Sequence, residues 1–192
     1  MHTSWAQLAR EVSDCTACPL CEGCTQKVMG QGDPKAPLML IGEGPGEQED
    51  LQGLVFVGRA GDLLTKMLAA IHLPRDRVYI CNTVKCRPPK NRTPKPAELE
   101  ACQPFLLQQI ALVQPKVIFL LGSTAVRVML GPNYRITQCR GQWFERGGMK
   151  IIATFHPAAL LRDPRRKHET WADLQMVRDE LKAQSLYAGL LP

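Results

Sequence analysis

The sequence predicts an α/β protein: a parallel β-sheet with helices on both faces. Three observations carry that expectation. Four short apolar runs, Leu38 to Gly42, Val78 to Asn82, Val117 to Gly122 and Ile151 to Phe155, have the length and continuity of strands buried on both sides. Stretches of helical character, Asp62 to Ile71, Ala97 to Val113 and Ser123 to Leu130, fall between them, so the order is β, α, β, α, β, α, β. The 192 residues, 45% hydrophobic and 22% charged, suffice for one full core and have the composition of a globular chain, which excludes disordered and fibrous classes. One domain spanning residues 1–192 is expected.

Each element has its own signature. The strands are runs of Leu, Ile, Val and Phe, each followed by a polar or glycine-rich segment. Pro104 lies inside the third helical stretch and should kink or restart it, because its ring removes a backbone donor and crowds the preceding turn. Near the C-terminus Trp171, Leu174, Val177 and Leu181 recur at three- and four-residue spacing and predict a helix with one apolar stripe packed on the sheet.

Lys and Arg outnumber Asp and Glu by 24 to 18, a net charge of +6 that favours a polyanionic partner such as nucleic acid. The polar N-terminus MHTSWAQLAREVSD has no secretory signature, and no apolar stretch approaches a membrane span, so a soluble, intracellular protein is expected. In a reducing compartment eight cysteines are poor candidates for disulfides, and metal or iron–sulfur ligation explains some of them better. Cys15 and Cys18 form a C-x-x-C that Cys86 and Cys102 complete as a four-thiolate site, while Cys21 and Cys24 extend the motif into a competing, wholly local set. Spacing leaves both open. Cys81, on an apolar strand, reads as core, and Cys139 has no partner at ligand spacing.

Ligands of an open parallel sheet bind beyond the carboxyl ends of its strands, which gives the loops GEGPGEQED, NTVKCRPPKNRTP, GSTA and FHPAALLRDP their interest. The first has G-x-G-x-G rather than dinucleotide-binding spacing, and Glu43, Glu47, Glu49 and Asp50 would repel a pyrophosphate. It reads instead as a rigid backbone close to a small ligand, with a carboxylate to hold a water or face positive charge. Arg87, Lys90, Asn91 and Arg92 form a proline-rich basic loop suited to phosphates, and a metal bound by Cys86 and Cys102 would fix it. In the last loop His156 stands at a strand mouth, and Leu160 and Leu161 precede Arg162, an apolar wedge beside cations of the kind that enters a base stack.

Together, GEGPGEQED, the Phe-Val-Gly-Arg-Ala-Gly run from Phe56, Asn82 ending a strand, KCRPPKNRTP and HPAALLRDP resemble the uracil-DNA glycosylase superfamily, and most of all its family 4, the iron–sulfur type. The resemblance implies a three-layer αβα fold around a four-stranded parallel sheet and a [4Fe-4S] cluster on Cys15, Cys18, Cys86 and Cys102, with Cys21 and Cys24 as departures. It implies a monofunctional glycosylase that flips uracil from single- or double-stranded DNA and hydrolyses its glycosidic bond for base excision repair, as a monomer near the nucleoid, with a replication clamp or repair proteins as possible partners. Phe56 would stack on the base, Asn82 would read its edge, Glu49 would exclude thymine, and His156 would stabilise the leaving anion. Glu43 and Asn91 would position water and stabilise the sugar cation, while Gly44 stands where family 1 members carry an aspartate. Leu160 or Leu161 would fill the vacated stack, and Arg162 with backbone amides at Gly122, Ser123 and Ala158 would pin flanking phosphates. A sister branch traps uracil-DNA covalently through a histidine in the loop after the second strand, but this chain has no histidine from Leu73 through Phe155, which favours turnover. The competing class is a non-catalytic iron–sulfur module that binds uracil-DNA or other damage.

Overall fold

A computed structural model describes residues 4–191, so Met1 to Thr3 of the polar N-terminal stretch lie outside the described residues. Helix α1 (Trp5–Ser13) begins at Ser4, whose hydroxyl oxygen accepts the Gln7 N–H at 3.2 Å, and buries Leu8 and Val12. The cysteine-rich segment follows, with one short helix, α2 (Leu20–Gly23). The chain then runs through β1 (Gln31–Gly32), β2 (Leu38–Gly42), α3 (Glu47–Gln52), α4 (Arg59–Ala70), β3 (Tyr79–Asn82) and α5 (Pro96–Val113). The second half contains β4 (Val117–Leu121), α6 (Ser123–Leu130), α7 (Ile136–Cys139), β5 (Phe144–Arg146), β6 (Met149–Thr154), α8 (Pro157–Arg162) and α9 (Lys167–Ala183).

The sheet order is β1-β3-β2-β4-β6-β5. The four strands read from the sequence are the inner four, and all their pairings are parallel. The sheet is nevertheless six-stranded, because β1 and β5 add short antiparallel edges. Neither is a long apolar run: β1 has two residues, and β5 is half-buried to exposed, so an edge position leaves little hydrophobic signal. Side chains alternate strictly between the faces. Leu38, Leu40, Ile80, Phe119, Leu121 and Ile152 pack with Leu64 and Leu68 of α4 and with Leu174, Val177 and Leu181 of α9. Met39, Ile41, Cys81, Ile118, Leu120 and Ile151 face Leu106, Ile110 and Val113 of α5 and Ala125, Val126 and Met129 of α6. This is a three-layer αβα sandwich, and each fully buried large side chain in it contributes about 1.5–3 kcal/mol.

Three local expectations change. Helix α5 passes Pro104 without restarting: Pro104 and Glu100, the residue whose carbonyl loses its donor, are both exposed, which leaves that carbonyl on the solvent side of the helix. Trp171 is 40% exposed, because the buried face of α9 runs through Thr170, Leu174, Val177 and Leu181, and the Thr170 hydroxyl is hydrogen-bonded to that of Thr154 at 3.1 Å. The acidic loop and the HPAALLRDP loop contain α3 and α8, helices too short to show a period.

A buried polar cluster locks α9 to the end of β6. Asp173, fully buried, accepts the Thr154 hydroxyl at 2.6 Å and two bonds from the Arg140 guanidinium at 3.0 and 2.6 Å. Burial pushes the Asp173 carboxyl up, against the lowering effect of Arg140. The cluster sits two residues before His156 and fixes that end of the strand. Leu174→Ala should destabilise the fold by about 2–5 kcal/mol in denaturant unfolding, whereas Trp171→Ala should stay within about 0.5 kcal/mol; equal effects would contradict this packing of α9.

Candidate active site

The inner strands end level with one another: Gly42 pairs with Asn82, and Leu121 with Thr154. The segments that leave them therefore meet in one cleft of about 700 Å³, lined among others by Glu43, Phe56, Asn82, Thr124 and His156.

Gly42 sets how closely these groups approach. A Cβ there would overlap Asn82 Oδ1 and come within 2.6 Å of Phe56 Cζ, so only glycine lets the carboxamide and the ring meet over the strand end. Phe56 has a left-handed backbone, with φ of 52°, a conformation that costs energy for a residue with a side chain. Two contacts hold it. Glu49, buried, accepts the N–H groups of Val57 and Gly58 at 3.1 and 3.3 Å, and Gly61 leaves room for the Phe56 carbonyl, which any Cβ would overlap. The Phe56 ring lies 5.5 Å from that of His156, inclined by 30°. Asn82 is 2% exposed, and its Oδ1 has no partner among the described residues. An unpaired buried carbonyl oxygen is costly, and a ligand N–H would relieve it.

His156 is poised as a neutral donor. Its Nδ1 accepts the Ala158 N–H at 3.1 Å, which leaves the ring proton on Nε2. Burial, and then the nearby charge of Arg162, lower its pKa to about 4, so the ring is uncharged at neutral pH. Opposite, the Glu43 carboxylate accepts the Thr124 hydroxyl, while the Glu43 carbonyl accepts the Thr83 hydroxyl and the Val84 N–H. Gly44 is needed where it stands, since a Cβ would come within 2.7 Å of Val84 Cγ2. Asn91 reaches the cleft from its exposed rim, with a left-handed backbone and its Oδ1 accepting Arg87 Nε at 2.8 Å.

The residues expected on phosphates divide. Arg92 is forked onto Glu98 at 2.7 and 2.8 Å, a bond that holds the Glu98 carboxyl down to about 2, and Arg87 is tied to Asn91 and to Glu47 at 3.4 Å. Lys90, Ser123 and Arg162 have no such ties among the described residues. Two expected amides are engaged: Gly122 N–H donates to the Thr154 carbonyl at 2.9 Å, and Ala158 N–H to His156. Neither is free for a phosphate. Leu160 is core, 1% exposed, so of the leucine pair only Leu161, half-buried, has surface to offer. Sequence reading missed Thr124, although it stands in the GSTA loop, and also Arg59 and Arg127, which line the cleft with no ion pair among the described residues.

A second, small cavity gathers thiols: Cys15, Cys18 and Cys21 line it with Cys86 from the loop after β3 and Cys102 from α5. Cys24 lies against Cys86. Burial is the leading cause that pushes Cys18, Cys86 and Cys102 up, so without a cation beside them they stay protonated. Among the described residues, no three Cys, His, Asp or Glu side chains close round a point as they do round a single ion.

A parallel αβα sheet whose strand ends carry an aromatic platform, a buried carboxamide and a neutral imidazole is the arrangement of a base-excising glycosylase. Residues 29–175 match the family model for the uracil DNA glycosylase superfamily, and the chain belongs to that superfamily. It is 49% identical over 160 residues to the type-4 uracil-DNA glycosylase of Thermotoga maritima, covering 81% of this chain and 82% of that protein. It is 41% identical over 178 residues to the type-4 enzyme of Archaeoglobus fulgidus, covering 88% and 89%. A type-5 uracil-DNA glycosylase of Pyrobaculum aerophilum matches at 31% over 146 residues, covering 67% and 64%. Within the superfamily the chain falls in the type-4 branch.

The His156 shift has a stability consequence. Its folded pKa of about 4 lies below the ordinary 6.5, so between those values the unfolded chain holds a proton that the folded chain does not. This contribution makes stability rise with pH through that window and level off above it, with a limiting slope of about 1.4 kcal/mol per pH unit. Denaturant unfolding at a series of pH values should show a shallower slope for His156→Gln than for the parent; identical slopes would contradict a buried, neutral His156.

Proposed function

We propose that the chain excises uracil from DNA by hydrolysing the bond between uracil N1 and deoxyribose C1′, releasing free uracil and leaving an abasic site. The observation that carries this reading is the buried Asn82 Oδ1, unpaired among the described residues, which meets the Phe56 ring at Gly42 in a cleft that also receives a neutral His156. Uracil offers an N–H at N3 to that oxygen and a carbonyl at O4 to the Asn82 NH2; cytosine inverts both, and a buried mismatch of polar groups is heavily penalised. Phe56 supplies a stacking surface worth about 1–3 kcal/mol to an extruded base. Glu49, which lines the cleft and holds the loop of Phe56, would crowd a C5 methyl group and so exclude thymine.

As the bond breaks, electrons pass to the base and the sugar gains oxocarbenium character. The Nε2–H of His156 donates to uracil O2, where the charge accumulates, and a neutral donor does this without a proton leaving the enzyme. Glu43, oriented by Thr124, and Asn91, held by Arg87, orient the water that adds to C1′ and stabilise the cationic sugar. Arg162, with Lys90 and Ser123, grips the flanking phosphates, while Leu161 fills the space that the base vacates. Arg87 and Arg92 act mainly by holding the loop, since their guanidinium groups are already engaged.

A [4Fe-4S] cluster suits the thiol cavity, with Cys15, Cys18, Cys86 and Cys102 as ligands. Four of the lining thiols come from three separate segments, and a cluster holds its thiolates further apart than a single ion does. Its contribution when bound is structural: it cross-links the N-terminal segment, the basic loop and α5. The non-catalytic alternative is not favoured, because a mere binding module has no use for Glu43, Asn91 and His156 around one sugar position.

The direct test incubates the protein with an oligonucleotide carrying one uracil, single-stranded or opposite guanine, and cuts abasic sites with hot alkali. Cleavage at the uracil alone is expected; retardation of the strand without cleavage would return the protein to the binding class. Asn82→Asp should lower uracil excision by about 10²- to 10³-fold, the scale of one misplaced donor, and raise cytosine excision. An unchanged preference would contradict the role given to Asn82. Cys86→Ala and Cys102→Ala should each give colourless, poorly soluble protein, and brown, stable variants would move the cluster to the local cysteine set.

A further inference from the structure

The turn leaving β3 holds a lysine that the proposed reaction does not use. Lys85 is 1% exposed, among the largest fully buried side chains in the fold. Its Nζ donates to the backbone carbonyl of Asn82 at 2.6 Å and to Gln109 Oε1, also at 2.6 Å. Gln109, fully buried on α5, is fixed in turn by donating from Nε2 to the Met29 carbonyl at 2.7 Å and to the Tyr79 hydroxyl at 3.0 Å. An amino group is a costly thing to bury, and an aliphatic side chain would fill the same volume without that cost. Its bonds are therefore where its use lies. The same residue lines the thiol cavity beside Cys102, and its carbonyl accepts the Val28 N–H at 2.7 Å. Lys85 thus touches the residue that reads the base and borders the thiol cluster.

The Asn82 carboxamide needs such support. Its Oδ1 has no partner among the described residues, so no bond from them at that oxygen fixes its aim before a ligand arrives. The backbone that carries it is held on one side by the β2 pairing, where Thr83 N–H donates to the Gly42 carbonyl at 3.0 Å, and at its own carbonyl by Lys85. We propose that Lys85 is a positioning residue for uracil recognition: anchored on Gln109, its amino group holds the Asn82 carbonyl so that the carboxamide is aimed before the base enters, and its main chain ties that aim to the cysteine cluster. The inference rests on the reading that Asn82 recognises uracil.

The test is a double-mutant cycle of Lys85→Met with Asn82→Ala, read in two ways. One is kcat/KM on the single-uracil oligonucleotide. The other is equilibrium binding to the same strand carrying 2′-fluorodeoxyuridine, whose glycosidic bond resists cleavage, relative to the undamaged strand. Lys85→Met alone should lower kcat/KM by about 10- to 100-fold, the range of losing one buried hydrogen-bond donor, and reduce the binding preference by a similar factor. In the Asn82→Ala background the binding preference should fall no further. Additive losses would overturn the proposal, because they would show Lys85 supporting the fold and not Asn82. If Lys85→Met is colourless or unfolded, Gln109→Glu, which keeps an acceptor for Lys85 but gives up the donors to Met29 and Tyr79, takes its place in the cycle with the same non-additivity expected. Failure of the parent protein to cleave uracil would sink the functional reading itself; an active parent matched by Lys85→Met would sink only the role of Lys85.

Discussion

The common level at which four parallel strands end is the constraint on which everything else depends. Because Gly42 lies beside Asn82 and Leu121 beside Thr154, four loops from distant parts of the chain leave the sheet together and must share one cleft. The level is enforced by hydrophobic burial on both faces: shifting any inner strand by one residue would exchange its two side-chain sets between the α4/α9 layer and the α5/α6 layer. The core therefore specifies the site, although none of its aliphatic side chains takes part in the chemistry.

Within the cleft, the proposed recognition uses polar groups left incomplete in a place where incompleteness is expensive. The Asn82 oxygen is buried without a partner among the described residues, and in the proposed reading the stability forgone there becomes selectivity for a ligand with an N–H at the right position. His156 works by a related logic. Burial denies it a proton, and the Ala158 amide takes its Nδ1, so one neutral donor remains, which in the proposed reaction meets charge that appears only as the glycosidic bond breaks. The amide expected to hold a phosphate holds the imidazole instead.

The cysteine-rich segment is joined to this cleft by more than its thiols. Asp50, buried on α3, accepts the Thr25 N–H at 2.9 Å, and Val28 bonds to Lys85 at the turn after β3. A displacement of residues 15 to 28 would therefore reach both the acidic loop with Glu49 and the turn with Asn82. The cluster proposed there would stabilise these loops as a cross-link without entering the proposed reaction.

How much of this was legible from the chain alone follows from the range of each force. Inner strands and long helices declared themselves through continuous or periodic apolar runs, because burial on two faces or one face leaves a local pattern; β1, β5, α3 and α8 are too short or too exposed to leave one. The residue types that meet in the cleft, Glu43, Phe56, Asn82 and His156, stood out because chemistry at strand mouths calls for unusual residues there. Only the tertiary structure decided their partners: that Thr124 orients Glu43, that Arg87 and Arg92 are held by Asn91 and Glu98, that Leu160 is core while Leu161 is not, and that Lys85 bonds to Asn82. A sequence determines which groups are available and which faces they prefer; which donor meets which acceptor depends on contacts between residues as many as 116 positions apart, and those exist only once the chain has folded around its sheet.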